Sequence, residues 1–330
     1  MPAKNWKLIV KPESADPAVN LAMEEWAIRH LNPDYSYLFF YVNRPAVILG
    51  RNQNVLQEVN LRACWENDIP ILRRISGGGA VVHDEGNLNF AFVTQHTLQN
   101  FNRYRQFLEP IVQLLRKLGL PVEIDSHNNL LFMGKKFSGN AQFTSRGRLL
   151  SHGTLLFNSN LERLNTLLNP NRNYRLRSNA TRSMHSNVTN LHLYMKLRLS
   201  LNRLREMIID AFFGGHADVL SLSETQWDEI CALADRKYRS YQWNIARSPK
   251  SRIDAHIAAP AGGEFSFHYY FEDGYFRNFE ISDSRLRFLG ELLDGKPLLP
   301  ETFEKISEHI NAIDDAFLQK KARNVLHFLI

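Results

Sequence analysis

Arg73-Arg74-Ile75-Ser76-Gly77-Gly78-Gly79-Ala80-Val81-Val82-His83-Asp84 is the stretch around which the rest of the chain arranges itself. Ile69 to Ile75 leads into the glycines as a strand, and Ala80 to His83 leaves them as a second. Three adjacent glycines reach backbone conformations closed to other residues and let the main chain approach a ligand closely. Two readings follow. The triplet is a tight hairpin turn that required glycine. Alternatively, its successive amide N–H groups form a concavity for an anion, with Arg74 adding a bidentate fork. A Walker A loop is excluded, because no Gly-Lys-Ser/Thr follows. A dinucleotide fingerprint is excluded too: Val82 stands where its third glycine belongs, and a strand rather than a helix follows.

Outward from this loop, Ser14 to Pro17 caps an amphipathic helix carrying Val19 to Trp26. Leu38 to Val42 and Ala46 to Gly50 read as short buried strands, Val59 to Glu66 as a helix, and Leu88 to Val93 as a third strand near the glycines. Phe107 to Leu118 has helical spacing, with Gly119 at its end. Asn128-Asn129 and Gly134 punctuate short strands, and Leu149 to Phe157 reads as a strand interrupted at Gly153. Leu161 to Leu168, Leu197 to Phe213 and Thr225 to Tyr238 are expected helices. The composition changes over residues 241–250, which read as a linker between a domain at 1–240 and a smaller one at 251–330. In the smaller part, Glu272-Asp273-Gly274 between two aromatic-rich runs predicts a hairpin. Helices are expected near Leu286 to Leu293 and Phe303 to Ala322.

A second polar stretch is Gly134-Lys135-Lys136-Phe137-Ser138-Gly139-Asn140-Ala141. If Phe137 faces the core, strand alternation puts Lys136 and Ser138 together on the other face. A lysine there can neutralise phosphate and a developing oxyanion; the bland reading is a pair of solvated turn lysines. His152, in Ser151-His152-Gly153-Thr154, reads first as a satisfied core or edge histidine.

The chain has 330 residues, a formal charge of +6 and 44% hydrophobic residues, the profile of a globular protein; the charge suits acidic partners, nucleic acid or an acidic protein surface, and equally a basic solvated surface. No apolar stretch is long enough to cross a bilayer, and Met1 to Asp16 has no apolar signal core, so a cytoplasmic protein is expected. Cys64 and Cys231 are far apart, which argues against a disulfide framework or a metal site. Metalloprotease, redox-dithiol, nucleophile-elbow and EF-hand motifs are missing.

Taken in order, the segments resemble the lipoate–protein ligase family within the biotin and lipoyl ligase superfamily. The resemblance is carried by Asn20 to Glu25, Ile48 to Asn54, Arg73 to Asn89, Gly134 to Gln142, His152 to Leu156, Arg177 to Thr181 and Val188 to Leu191. It implies an α+β fold of mixed and antiparallel sheets with flanking helices, plus a small α+β accessory domain at the C-terminal end. It also implies ATP-dependent conversion of lipoate to lipoyl-AMP, then transfer to a lysine of lipoyl carrier domains. Such carriers are the E2 subunits of 2-oxoacid dehydrogenases and the glycine cleavage H protein, expected to offer an acidic surface. ATP with magnesium, and lipoate, are the implied small molecules, with no tightly bound cofactor.

Carried to matching positions, Lys136 is the implied central residue. Arg74, Ser76, Gly77, Gly78, Gly79 and Ala80 would hold phosphate, with Val81 and Val82 as walls. His83, Asn87, Asn128, Asn129, Ser138, His152 and Thr154 complete the implied adenylate site, and Leu21, Ala141 and His152 the lipoate pocket. The family pattern Gly-Arg-Asn-Asp is replaced here by Ser126-His127-Asn128-Asn129. Asn129 thus stands where an acidic residue is expected near adenine and metal, and a neutral amide is the poorer magnesium ligand. Arg177 to Thr181 also resembles the animal lipoyltransferases, so a transferase using a preformed lipoyl or octanoyl donor is the alternative. A basic nucleic-acid-binding protein is a remote third, since charge alone supports it.

Overall fold

The computed structural model describes residues 5–97, 100–170, 174–184, 186–195, 198–259 and 263–329. Met1 to Lys4 and Leu197, which entered the sequence reading, lie outside them. β1 (Trp6–Val10) precedes α1 (Pro17–His30), whose N-cap Asp16 accepts the Ala18 N–H through its carboxylate. The helix starts where expected but is not amphipathic. Pro17 through Ile28 are all buried, including Asn20, Glu24 and Glu25. Its polar residues face partners inside the protein rather than water.

β2 (Ser36–Tyr41) and β3 (Ala46–Leu49) follow, then two short helices, α2 (Val55–Glu58) and α3 (Leu61–Glu66), in place of the single one expected. β4 (Ile71–Arg73) and β5 (Val81–His83) flank the glycine loop. They do not pair with each other. β4 lies parallel to β3 on one side, and β5 antiparallel to it on the other. The glycine triplet is therefore a crossover above the end of β3, which overturns the hairpin reading. Gly50 permits that crossing: a Cβ there would lie 2.0 Å from the Gly78 carbonyl oxygen.

β6 (Asn87–Gln95), α4 (Arg105–Lys117), β7 (Val122–Ile124), β8 (Leu130–Phe132), β9 (Lys135–Ser138), β10 (Asn140–Ser145) and β11 (Arg148–Leu156) continue the chain. β11 runs through Gly153 without a break. The main sheet has the order β10-β11-β6-β2-β1 and ends on β13 (Asp218–Ser221), which is preceded by α5 (Leu161–Leu167), β12 (Tyr174–Ser178) and α6 (Leu201–Phe213). β1 pairs in parallel with both neighbours while β2, β6, β11 and β10 are antiparallel, so the sheet is mixed. One face packs against α4 and α6 through Phe92, Phe107, Ile111 and Phe212. The other packs against α1 and α7 (Glu224–Leu233) through Met23, Phe39, Ala91 and Ile230.

Residues 234–246 contain two π-helical turns. Fully buried Arg73 ties the second to the glycine-loop strand, donating to the Trp243 and Asn244 carbonyls and, on its other side, to those of Gly50 and Gln53. β14 (Ser251–Ala259), β15 (Gly263–Glu272) and β16 (Tyr275–Ile281) form an antiparallel sheet covered by α8 (Arg287–Leu293), α9 (Pro300–Asn311) and α10 (Ala316–Leu329). The Asp273-Gly274 hairpin is present, both residues having positive φ. Two helices replace the single Phe303 to Ala322 expectation.

β12 pairs with β14 as the fourth strand of this sheet. The core is continuous as well, because Val47, Leu49 and Val82 cluster with Ile253, Phe267 and Phe276. No helix among the described residues is long and apolar enough to cross a membrane.

Candidate active site

The crossover loop, the β9–β10 corner and the middle of β11 enclose one cavity of 540 Å³. That lies within the range of roughly 300–1,000 Å³ common for small-molecule sites. Leu21, Tyr41, Ile48, Val81 and Ala141 form apolar wall, and Arg74, Lys136, Asp125, Asn129, His152 and Thr154 supply polar groups. Thr181, Arg182, Ser183 and Met184, and further along Ser186 and Asn187, complete the lining. Ser183 is stitched to the loop, since its Oγ accepts the Ala80 N–H at 2.9 Å and the Gln53 amide at 3.0 Å.

The glycine loop is held open by Arg74. Its Nη2 donates to the carbonyls of Gly77 (2.6 Å) and Gly79 (2.8 Å), Nη1 to that of Ile48 (3.2 Å) and Nε to Ser76 Oγ (3.0 Å). Burial pushes the guanidinium down to about 10, partly countered by Glu24, so it stays charged at neutral pH. The fork expected for phosphate thus grips the loop's own carbonyls, which turns Arg74 into the brace of the cradle while it still lines the cavity. Gly78, with φ +91, supplies the conformation the crossing needs.

Lys136 enters from β9. Its backbone is fixed on both sides, N–H to the Asn187 carbonyl and C=O to the Thr189 N–H, and Phe137 beside it is fully buried. The solvated-turn reading is thereby excluded for Lys136, although Lys135 is exposed. Among the described residues, no hydrogen bond or ion pair involves its Nζ, which lies 3.1 Å from where a Cβ on Gly139 would stand. Desolvation lowers its pKa, opposed by Asp125 and helped by Arg74.

A buried relay closes the inner end. His152 Nδ1 donates to Glu24 at 2.8 Å, its Nε2 meets Ser76 Oγ at 2.6 Å, and Tyr41 donates to Glu24 at 2.8 Å. Both ring nitrogens are satisfied, as the sequence reading expected, and the ring also lines the cavity. His83 behaves differently. Asn20 donates to Asn43 Oδ1, which leaves the Asn43 NH₂ to donate to His83 Nδ1 at 2.8 Å. The ring is therefore a neutral Nε2–H tautomer. Burial, with repulsion from Arg74 and His152, pushes its pKa down to about 3.

A family model described as the lipoyl protein ligase A/B catalytic domain matches residues 16–213. The chain is 37% identical to a lipoate–protein ligase of Bacillus subtilis strain 168 over 251 residues, 75% of this chain and 76% of that one. It is 38% identical to lipoate–protein ligase 1 of Staphylococcus aureus strain Mu50 over 249 residues, with the same coverage. The chain belongs to the lipoate–protein ligase family. Among solved structures, a lipoate–protein ligase of Thermoplasma acidophilum, described with its E2 lipoyl domain, superposes with a TM-score of 0.62 at 25% identity, covering 73% of this chain and 96% of that one. A lipoate–protein ligase A bound with ATP gives 0.61 at 26% identity, covering 73% and 98%. A P. falciparum protein in complex with lipoate matches 98% of this chain and 99% of its own at TM-score 0.62 and 20% identity, which shows the fold.

Within this ligase fold, Leu21, Arg74, Gly78, Gly79, Ala80, Val81, His83, Asn129, Lys136, Ala141, His152 and Thr154 all line the cavity. Ser76 is fully buried behind it, and Gly77 shapes the loop. Val82 and Ser138 line a neighbouring cavity instead. Asn87 is buried and donates to Asn89, and it is Asn89 that reaches the wall. Asn128 takes the left-handed turn conformation and offers its carbonyl to Asn140.

Asp125 was missed. It lies four residues before Asn129 on the same turn, lines the cavity, and accepts the Asn129 amide and backbone N–H, each at 2.8 Å. Desolvation raises its pKa, but these bonds and the His127 N–H outweigh that and hold the carboxyl below its ordinary value. A carboxylate thus lines the cavity at position 125, beside the Asn129 that stands where the family pattern has an acid. The spacing Asp125-x-x-x-Asn129 around a left-handed Asn128 was the available signal.

Proposed function

We propose that this ligase converts lipoate and ATP to lipoyl-AMP and transfers the lipoyl group to a lysine of lipoyl carrier domains. One observation carries the reading: the Lys136 amine, without a hydrogen-bond partner among the described residues, and the backbone of the glycine crossover line one cleft, which continues between Leu21, Tyr41, Ile48 and Ala141. In the first step a carboxylate oxygen of lipoate attacks the α-phosphorus, and pyrophosphate leaves. In the second, an acceptor amine attacks the acyl carbon and AMP leaves. Both transition states gather negative charge beside the mixed anhydride, where fixed N–H dipoles and an ammonium act strongly in a partly dry site. Leu21 and Ala141 bury the acyl chain, each methylene withdrawn from water contributing about 0.8 kcal/mol.

Magnesium bound mainly by substrate phosphates needs only one or two protein carboxylates. Asp125 fits that demand; among the described residues no cluster of three His, Cys, Asp or Glu offers a self-sufficient metal site. Bound there, magnesium would neutralise phosphate charge. Residues 1–240 act as the catalytic domain, 241–250 as the connection and 251–330 as the accessory domain. The carrier is expected to present an acidic surface to this basic chain, and the free Cys64 and Cys231 agree with a reducing, cytoplasmic setting.

The transferase alternative through a cysteine nucleophile is disfavoured. Cys64 is buried, its thiol pushed up to about 12, and neither cysteine lines the cleft. The test is pyrophosphate release from ATP and free lipoate, followed by mass analysis of a carrier domain. A chain active only with preformed lipoyl-AMP or with lipoylated protein would refute the ATP-using reading.

A further inference from the structure

A second cavity of 640 Å³ adjoins the first and shares Lys136 with it. The two meet along Ala80, Val81, Lys136 and Thr154, and Arg182, Ser183 and Met184 line both. The walls of the second are apolar at Val82, Leu156, Leu164 and Leu168, and it contains one carboxylate, Glu58, at the end of α2. Glu58 is 3% exposed. Among the described residues its two oxygens share a single hydrogen-bond donor, the Ser183 N–H, at 3.2 and 3.3 Å. Among the described residues, no lysine, arginine or histidine forms an ion pair with it.

A buried carboxylate with one long, shared hydrogen bond is costly unless a cation comes to it. The cavity around it has the shape chemistry of a lysine side chain: an aliphatic lining for the methylene stem and an anion for the tip. We infer that this second cavity admits the acceptor lysine of the carrier, and that Glu58 takes the proton from its ammonium. The inference rests on the acyl-adenylate reading above and deepens it.

The ammonium gives one proton to the Glu58 carboxylate. The freed electron pair on nitrogen attacks the acyl carbon, whose bond to the phosphate oxygen breaks with its electron pair leaving on AMP. The second amine proton goes to the departing phosphate and thence to water, and Glu58 returns its own proton to solvent. Acyl adenylate and acceptor thus reach Lys136 from two adjoining cavities.

The test is single-turnover capture of enzyme-bound acyl adenylate by two nucleophiles, a carrier domain and hydroxylamine, which is neutral at pH 7. Glu58→Gln keeps an oxygen for the Ser183 N–H and removes the base. Transfer to the carrier should fall at least tenfold at pH 7 and recover as the pH approaches 10, where the amine arrives uncharged. Hydroxamate formation should stay within twofold of wild type. Equal losses with both nucleophiles, or no loss with either, would overturn the inference. Asn165→Trp, a substitution at an exposed α5 position on the cavity wall, provides a second arm: it should slow carrier transfer alone. A wild-type chain that forms no hydroxamate from ATP and lipoate would instead defeat the activation reading and is distinguishable on that ground.

Discussion

Asn129 Nδ2 lies 2.8 Å from Asp125 Oδ2, and the Asn129 backbone N–H reaches the other oxygen at the same distance. An amide at position 129 therefore orients a carboxylate in the cleft rather than deleting one. Asp125→Asn preserves size and removes the charge. The magnesium concentration for half-maximal pyrophosphate release should rise roughly tenfold, equivalent to about 1.4 kcal/mol. An unchanged magnesium requirement would remove Asp125 from the metal's surroundings.

Lys136→Ala should lower pyrophosphate release by about 10²–10³-fold, the scale of losing one charge-stabilising donor. Its amine has no hydrogen-bond partner among the described residues, so the melting temperature should hold. A folded variant with near-normal turnover would contradict the central role given to this amine.

Two glycines separate activity from stability. A Cβ at residue 139 would press on the flexible end of Lys136, at 3.1 Å, and make ordinary contact with Asn129 Oδ1 at 3.9 Å. Gly139→Ala should fold normally yet push the amine aside by a few tenths of an ångström, and since misplacement of about 1 Å costs on the order of 10²-fold in rate, a loss of up to about tenfold is expected. A Cβ at residue 153 would lie 2.1 Å from Asn140 Oδ1 and 2.6 Å from Phe90. Gly153→Ala should therefore destabilise by about 1–3 kcal/mol, the overpacking range. Thermal melts alongside turnover would expose an opposite ordering.

Arg74→Lys keeps the charge but cannot span the Ile48, Gly77 and Gly79 carbonyls at once, because an ammonium is a point donor. The loop should loosen and KM for ATP rise about tenfold, with a smaller change in kcat. Equal kinetics in the variant would mean that charge alone, and not the planar brace, matters here.

Glu25 sets an acid limit on stability. Burial raises its pKa, but Lys237, Tyr238 and Arg29 around it outweigh that and leave it below the ordinary value of 4.5. A carboxyl depressed in the folded state stabilises fully above its unfolded pKa and loses that contribution as pH falls through the folded value. Glu25→Gln should cost about 3–5 kcal/mol at pH 7, as for a broken buried pair. Denaturation curves of the two proteins should converge below pH 4; a gap independent of pH would assign the loss to packing.

The glycine crossover and Lys136 were legible because each breaks an apolar pattern with residues that have a narrow chemical use. The pairing of β4 and β5 across β3 was not, since adjacent strands separated by three glycines look identical to a hairpin until the intervening partner is known. β12, with Tyr174 and Leu176 alternating against Arg175 and Arg177, had a readable period of two that was passed over in favour of family likeness. Asp218–Ser221 had no such pattern, being an edge strand that is mostly exposed. Glu24 and Glu25 misled the reading of α1: acids imply a wet face, and only the positions of His152 and Lys237, more than a hundred residues away, show why they are buried.

The loan of Tyr174–Ser178 to the C-terminal sheet has a practical consequence. A truncated chain ending before Ser251 would retain that ribbon with its β14 partner deleted, presenting bare amides and carbonyls as a template for self-association. The same ribbon runs within a few residues into Thr181 to Met184 on the lining of the cleft. Shortening the protein to its family-matched portion would therefore slacken that wall of the site as well as invite clumping.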